Sequence, residues 1–103
     1  MEKIQVKIKR IFEKREGESE RGKWCYQDLH LVEDTDERFP NEFLVTVGAK
    51  EVEQVAKLKA NDVIKIGLSF FVREFTTREG KEYQSQSVTG WGIVVVQVSG
   101  FWQ

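Results

Sequence analysis

The sequence contains very little cysteine, histidine and proline, and it has no long apolar run. There is one residue of each of these three types among 103. A single cysteine excludes a disulfide framework within the chain, and one cysteine with one histidine supplies too few ligands for a zinc site. No apolar stretch approaches the ~20 residues that a transmembrane helix needs. A lone cysteine is typical of a reducing compartment, so we expect a cytoplasmic protein without membrane association.

Motifs for catalysis and cofactor binding are also missing. The chain contains neither GxxxxGK[ST] nor GxGxxG, which form two common phosphate-binding loops. His30 has only Asp28 as a nearby partner on its own strand, and the strand alternation directs Cys25 inward as a small core residue. The acidic segment 33–37 lacks the spacing and the glycine of an EF-hand. We therefore expect no enzymatic activity, no cofactor and no metal site.

Alternating apolar residues predict an all-β chain of five strands. The first strand begins at Ile4, and the pair Ile11-Phe12 breaks its alternation, which indicates a bulge or a strongly coiled strand. Polar residues between Arg15 and Gly22 indicate a turn. The remaining strands are expected at residues 23–32, 42–47, 63–75 and 81–96, and the last two are joined by a turn at 77–80.

One short helix is predicted at residues 50–58, where Val52, Val55 and Leu58 recur at helical spacing. This helix lies between the third and fourth strands. A helix at that place in an otherwise all-β chain is the layout of an OB-fold, a five-stranded Greek-key barrel. OB barrels bind ligands through the face of the second and third strands and through two flanking loops.

The length predicts a single domain covering residues 1–103. The first residues alternate at once, so we expect no signal peptide. Residues 94–103 form an apolar C-terminal extension. This extension is expected to lengthen the last strand, pack on the barrel wall or pair with a second subunit, because an exposed hydrophobic edge promotes aggregation. A homodimer or higher homo-oligomer follows from the last of these arrangements.

Flat side chains are predicted on the outer face of the second strand. Leu29 and Leu31 identify the odd positions as inward, which leaves Trp24, Tyr26 and His30 facing outward. Two exposed aromatic residues at i and i+2 indicate a surface that binds something. The alternative is that they cover the barrel or a dimer interface.

The charge is unevenly distributed along the chain, although the net charge is only −1. Residues 1–24 carry eight basic and five acidic side chains, whereas residues 25–42 carry one basic and six acidic side chains. The acidic segment is expected to be a solvated loop. A surface away from it could therefore be basic enough to attract phosphate.

Cations along a groove and flat side chains for base stacking are the two requirements for binding single-stranded nucleic acid. The sequence favours this function, with DNA as the expected ligand and little sequence preference. A protein-interaction or oligomerisation module and a polysaccharide binder are the alternatives. Phe75 and Tyr83 are equally compatible with a cross-strand pair that holds the hairpin, and Trp91 is more typical of a core residue. The candidate binding residues are Arg15, Arg21, Lys23, Trp24, Tyr26, His30, Arg73, Phe75, Arg78, Lys81 and Tyr83.

Several short motifs resemble, in their order and spacing, a small bacterial and phage family of uncharacterised single-domain proteins. The resemblance covers about residues 3–95 and implies an OB-fold distantly similar to single-stranded-DNA-binding and primosomal OB proteins. It implies no catalytic motif. Bacterial single-stranded-DNA-binding proteins end in an acidic tail that recruits partners, whereas this chain ends in apolar residues. The motifs are Gly22-Lys23-Trp24, Gln27, Phe39-Pro40, Arg73-Glu74-Phe75, Gly80, Tyr83 and Val88-Thr89-Gly90-Trp91.

Overall fold

The computed structural model describes residues 2–98 of the chain. Within them lie six strands and one short helix. The end of the predicted apolar extension, residues 99–103, lies outside the described residues. In chain order the elements are β1 (Ile4–Ile11), β2 (Arg15–Ser19), β3 (Gly22–Glu33), β4 (Glu42–Gly48), α1 (Ala49–Val55), β5 (Val63–Thr76) and β6 (Glu82–Gln97).

Five of the strands pair in a ring. β1 pairs with both β3 and β5, β3 continues to β4, and β5 pairs with β6, all in antiparallel register. The ring is completed by a short parallel contact between β4 and β6, in which Thr46 faces Thr89 and Val47 faces Gly90. β1 contains an irregularity, but not at the predicted pair Ile11-Phe12: its register with β3 shifts between Ile8 and Arg10, and Ile11 still pairs with Leu29.

The sixth strand, β2, contradicts the prediction of five strands and of a polar turn at residues 15–22. Residues 15–19 pair antiparallel with the first part of β3, from Arg15 opposite Tyr26 to Ser19 opposite Gly22. β2 lies at the edge of the sheet and is mostly exposed. Because neither of its faces enters the core, its sequence carries no apolar alternation, and the pattern that identifies the other strands is missing.

The core is an aliphatic cluster enclosed by the strands and capped by the helix. Inward side chains of β1, β3 and β4 are fully buried, and the predicted inward set of β3 is confirmed by Leu29 and Leu31 at 0% exposure. Cys25 packs against the edge of this cluster as a partly buried residue. The cluster consists of Val6, Ile8, Leu29, Leu31, Val45, Val47, Val52, Val55, Ile64, Ile66, Leu68 and Ile93.

The helix is shorter than predicted, and it buries Val52 and Val55. Beyond it the chain turns, and the amide of Leu58 donates to the carbonyl of Val55 at 2.9 Å. The buried carboxylate of Asp62 accepts a hydrogen bond from the amide of Lys59 at 2.9 Å, which fixes the return to β5. In the part of the chain that the structure describes, no helix is both long and apolar enough to span a membrane.

The far halves of β5 and β6 form a two-stranded ribbon that projects from the core. We call residues 69–76 and 82–88, with their connecting turn, the ribbon. Among residues 2–98, each of its strands pairs only with the other, since β1 pairs with β5 no further than Ile66. The radius of gyration is 15.8 Å, whereas a compact domain of this length has about 13 Å. The ribbon therefore places side chains of β5 and β6 beyond the end of the barrel.

Candidate nucleic-acid interface

A groove of about 960 Å³ lies on the outer surface, with β3 on one side and the base of the ribbon on the other. We call it the outer groove. Four strands besides β3 contribute to it, because β2, β4, β5 and β6 all present outward side chains there. Its lining residues are Arg15, Ser19, Arg21, Gly22, Lys23, Trp24, Tyr26, Asp28, Thr46, Phe71, Arg73, Ser87, Val88 and Thr89.

Two aromatic side chains of β3 form one wall of the outer groove. Trp24 is 41% exposed and Tyr26 is 47% exposed, which confirms that both face outward. Their ring centroids lie 5.9 Å apart with planes tilted by 32°. The Trp24 ring lies over Gly17 on β2, so closely that a Cβ atom at Gly17 would overlap it. The absence of a side chain at Gly17 therefore sets the position of the indole.

Phe71, on the opposite side of the outer groove, was not among the predicted residues. It is 39% exposed and faces the groove together with Arg73, whose guanidinium carbon lies 5.6 Å from the centre of the Phe71 ring. Residues two apart on a strand share a face, so the prediction of Arg73 and Phe75 already implied Phe71. The adjacent pair Phe70-Phe71 obscured this, because it has the appearance of a continuous buried run.

The charge of the outer groove differs from that of the whole chain. Its lining includes four basic side chains, namely Arg15, Arg21, Lys23 and Arg73, and one acidic side chain, Asp28. None of the carboxylates in the acidic segment 33–37 lines it. A chain with a net charge of −1 thus presents a locally cationic groove, as the uneven charge distribution suggested.

Asp28 anchors the polar floor of the outer groove. Its Oδ1 atom accepts hydrogen bonds from the Arg15 guanidinium at 3.0 Å and from the Thr46 hydroxyl at 2.7 Å. Thr46 lies directly opposite Asp28 in the pairing of β3 with β4. These contacts hold Arg15 against the floor while leaving its side chain 58% exposed.

His30 lies on the outward face of β3, but it does not line the outer groove. Its Nε2 atom forms a 2.7 Å hydrogen bond with the Glu42 carboxylate, which also accepts from Lys9 at 3.3 Å. The hydrogen bond with His30, followed by that with Lys9, lowers the pKa of Glu42. The imidazole of His30 is therefore already hydrogen-bonded to the Glu42 carboxylate in this surface cluster.

Four other predicted residues lie toward the tip of the ribbon. Phe75 and Tyr83 face each other across the strands and stack with ring centroids 5.5 Å apart, which confirms a cross-strand pair. Arg78 and Lys81 belong to the turn region, where Gly80 adopts a φ of +83° that favours glycine. The structure therefore brings six of the eleven predicted residues into the outer groove and places five outside it.

The interpretation of Trp91 as a core residue is wrong. Its side chain is 37% exposed, and its indole nitrogen donates to the Ser69 hydroxyl at 3.2 Å. The ring lies flat over Gly67, its cross-strand partner on β5. Trp91 packs outside the strands because Gly67 leaves room for an indole on the outer surface.

The described residues offer no alternative chemistry at this surface. No group of three or more His, Cys, Asp or Glu side chains within residues 2–98 is placed to hold a metal ion. The outer groove can supply aromatic faces, guanidinium and ammonium groups, hydroxyls and one carboxylate. These groups suit a planar, anionic, polymeric ligand.

Comparison with solved structures shows the fold that these residues adopt. The mitochondrial single-stranded DNA binding protein Rim1 of S. cerevisiae, in one crystal form, superposes with a TM-score of 0.62 at 12% identity, covering 94% of this chain and 95% of that chain. A selenomethionine-labelled second form gives a TM-score of 0.60 at 14% identity, covering 96% and 100%. No match to a curated protein sequence was found. The family model described as a domain of unknown function, DUF3127, matches residues 3–94, and the chain belongs to that family.

Proposed function

We propose that this protein is a non-catalytic OB-fold protein that binds single-stranded nucleic acid, with DNA as the principal ligand, along the outer groove. We assign β1, β3, β4, β5 and β6 to a five-stranded barrel, and β2 to an insertion in the connection between β1 and β3. The ring of strand pairings and the position of α1 between β4 and β5 support that assignment. We also propose a cytoplasmic location, which rests on cysteine usage alone.

The observation that carries the proposal is the combination of aromatic and cationic side chains in one groove. Trp24, Tyr26 and Phe71 offer exposed ring faces, and each stacked base contributes ~1–3 kcal/mol. Arg21, Lys23 and Arg73 lie beside these rings and can contact phosphates. Stacking tolerates any base, since every base has a flat face. The similarity to a single-stranded DNA binding protein supports the same ligand, although only the fold is shared at this identity.

The first test is the salt dependence of binding to a fluorescently labelled oligo-dT strand, measured by anisotropy. Each phosphate contact contributes about −0.7 to the slope of log K against log salt for single strands. If all four cations of the outer groove engage phosphates, a slope near −3 is expected. Salt-independent binding to a polysaccharide, without binding to oligo-dT, would favour the polysaccharide alternative. An absence of binding at micromolar protein would overturn the proposal.

The second test assigns binding to the groove. Trp24→Ala removes a stacking surface, so affinity for oligo-dT should fall by about tenfold. Phe39→Ala is the matched control, because Phe39 is 82% exposed and lies outside the outer groove. Equal losses in both variants would place the binding site elsewhere.

A protein-interaction or oligomerisation module remains the second candidate, and one observation favours it. The other face of the ribbon exposes Phe70 and Val72, at 51% and 55%. Beyond Ile66, no strand of the described part of the chain other than β6 pairs with β5, and an unpaired edge with apolar side chains is a template for pairing with another chain. Analytical ultracentrifugation of the full chain and of Val72→Lys distinguishes the two candidates. An oligomer that dissociates in the variant, combined with no oligo-dT binding, would replace the first proposal with the second.

A further inference from the structure

Asp28 is the one carboxylate in the lining of an otherwise cationic groove. A negative charge in that place opposes phosphate binding, which raises the question of what the carboxylate does there. The ion pair with Arg15 offsets part of the charge, but it involves only one of the two carboxylate oxygens. Oδ1 accepts both hydrogen bonds, from Arg15 and from Thr46, whereas Oδ2 accepts none from the residues that the structure describes.

The carboxylate is anchored and partly exposed. Two donors hold Oδ1, which limits movement of the side chain, and the Asp28 side chain remains 31% exposed in the lining of the outer groove. Preorganised acceptors of this kind lose little entropy when a ligand binds. Asp28 therefore presents a fixed hydrogen-bond acceptor to the outer groove.

Asp28 is the next outward-facing residue of β3 after Tyr26, whose ring is exposed. Tyr26 and Asp28 are two residues apart on β3 and share its outward face, so they are separated by about 6.6 Å along the strand. That distance is comparable to the width of a nucleobase. A base stacked on the exposed ring of Tyr26 can therefore direct its hydrogen-bonding edge toward Oδ2, since single-stranded bases are read on their Watson–Crick edges.

The bases differ in how well they satisfy a carboxylate. Guanine presents two adjacent donors, N1–H and the N2 amino group. Cytosine and adenine each present one amino group beside an acceptor nitrogen. Thymine presents a single N3–H between two carbonyl oxygens, which repel a carboxylate. Carboxylates in proteins accept from base amino groups for this reason.

We propose that Asp28 is a specificity-determining residue that gives the outer groove a preference for guanine over thymine. The inference rests on the proposed function, and it replaces the expectation of little sequence preference at one base position. The preference is expected to be several-fold in Kd, smaller than that of a bidentate base contact, because the two donors of guanine share the single free oxygen Oδ2.

The test compares labelled strands of about 16 nucleotides, the upper end of the site size for one OB fold. One strand is oligo-dT, the second alternates thymine with guanine, and the third alternates thymine with hypoxanthine, which lacks the N2 amino group. Anisotropy titrations of the unmodified protein at fixed salt should rank guanine first, hypoxanthine second and thymine third. In Asp28→Asn the ratio between the guanine and thymine strands should fall to about one, because the amide can turn a donor toward the groove.

A matched variant separates base readout from support of the groove. Arg15→Gln removes the cation that Asp28 holds, so it should weaken all three strands by a similar factor and keep their ranking. If Asp28→Asn behaves in the same way, Asp28 only positions Arg15 and the specificity proposal is overturned. If all strands bind equally to the unmodified protein, this inference fails while the proposed function stands. If no strand binds, the proposed function fails and the inference fails with it.

Discussion

The two halves of β5 both contain large apolar side chains, but their surroundings are opposite. From Val63 to Leu68 every residue except Lys65 is buried, whereas every residue from Ser69 to Thr76 is exposed. The second half nevertheless contains three phenylalanines and a valine. Both halves pair with β6 in one continuous hairpin. The apolar residues of this strand are therefore not all core residues.

The difference between the halves comes from their other neighbours. The first half has β1 on its second side and the aliphatic core beneath it, whereas the second half has neither among residues 2–98. An isolated two-stranded ribbon is marginal in water, so the second half depends on the barrel and on pairs such as Phe75 with Tyr83. Its exposed apolar side chains are available for a ligand or a partner. We therefore expect substitutions in the first half to change stability and those in the second half to change binding.

The largest effect is expected in the first half. Ile66 has 0% exposure in the core, and truncation of such a side chain costs about 2–5 kcal/mol of unfolding free energy. Val72→Ala, in the exposed half, should change stability by no more than about 0.5 kcal/mol. Urea denaturation of Ile66→Ala and Val72→Ala, followed by circular dichroism, measures both. A large loss in Val72→Ala would show that a partner or tail covers the ribbon.

The next effect separates the two faces of the second half. Phe71 lines the outer groove, while its neighbour Phe70 points to the opposite face. Phe71→Ala should weaken oligo-dT binding by about tenfold, as expected from the loss of one stacked base. Phe70→Ala removes the same type of side chain at the adjacent position, on the opposite face, and it should leave the affinity for oligo-dT unchanged. Anisotropy titration of the two variants provides the measurement, and equal losses would refute the assignment of faces.

Much of the barrel could be predicted because its inward residues repeat with a period of two. β1 and β3 show this pattern, with Val6, Ile8, Leu29 and Leu31 buried as expected. β2 could not be predicted in this way, because an edge strand exposed on both faces imposes no apolar period. The length of α1 was overestimated, since Leu58 reaches the core through a turn rather than a helix.

The site was predictable where one strand carries it and unpredictable where strands meet. The outward position of Trp24 and Tyr26 follows from the alternation of β3 alone. The position of Trp91 depends on its pairing with Gly67, and the register of that pairing shifts nearby, where Gly92 has a φ of +63°. No local pattern contains such information. The same reason explains why the role of Gly17 beneath Trp24 was not visible in the sequence.

Two glycine substitutions compare the outer groove with the first half of β5 once more, through the indole ring that covers each glycine. A methyl group at Gly17 would overlap the Trp24 ring, and one at Gly67 would overlap the Trp91 ring. Gly17→Ala should displace the indole in the outer groove and weaken oligo-dT binding several-fold, up to the loss of one stacking contact. Gly67→Ala should leave affinity unchanged and lower stability by about 1–3 kcal/mol, because Gly67 is buried in the first half of β5. Parallel anisotropy and urea titrations check both. A binding loss in Gly67→Ala would extend the interface to Trp91.

The smallest effect concerns the surface cluster of Glu42 with His30 and Lys9. The pKa of Glu42 is lowered in the folded protein, chiefly by its hydrogen bond with His30. A lowered carboxyl pKa stabilises the fold above the ordinary value of 4.5, and this contribution is lost as the pH falls through the folded-state pKa. Glu42→Gln should therefore be slightly less stable than the unmodified protein at pH 7, and the difference should shrink in acid. Its affinity for oligo-dT should not change, because neither Glu42 nor His30 lines the outer groove. Weaker binding by this variant would move the boundary of the interface beyond Asp28, along β3 to His30.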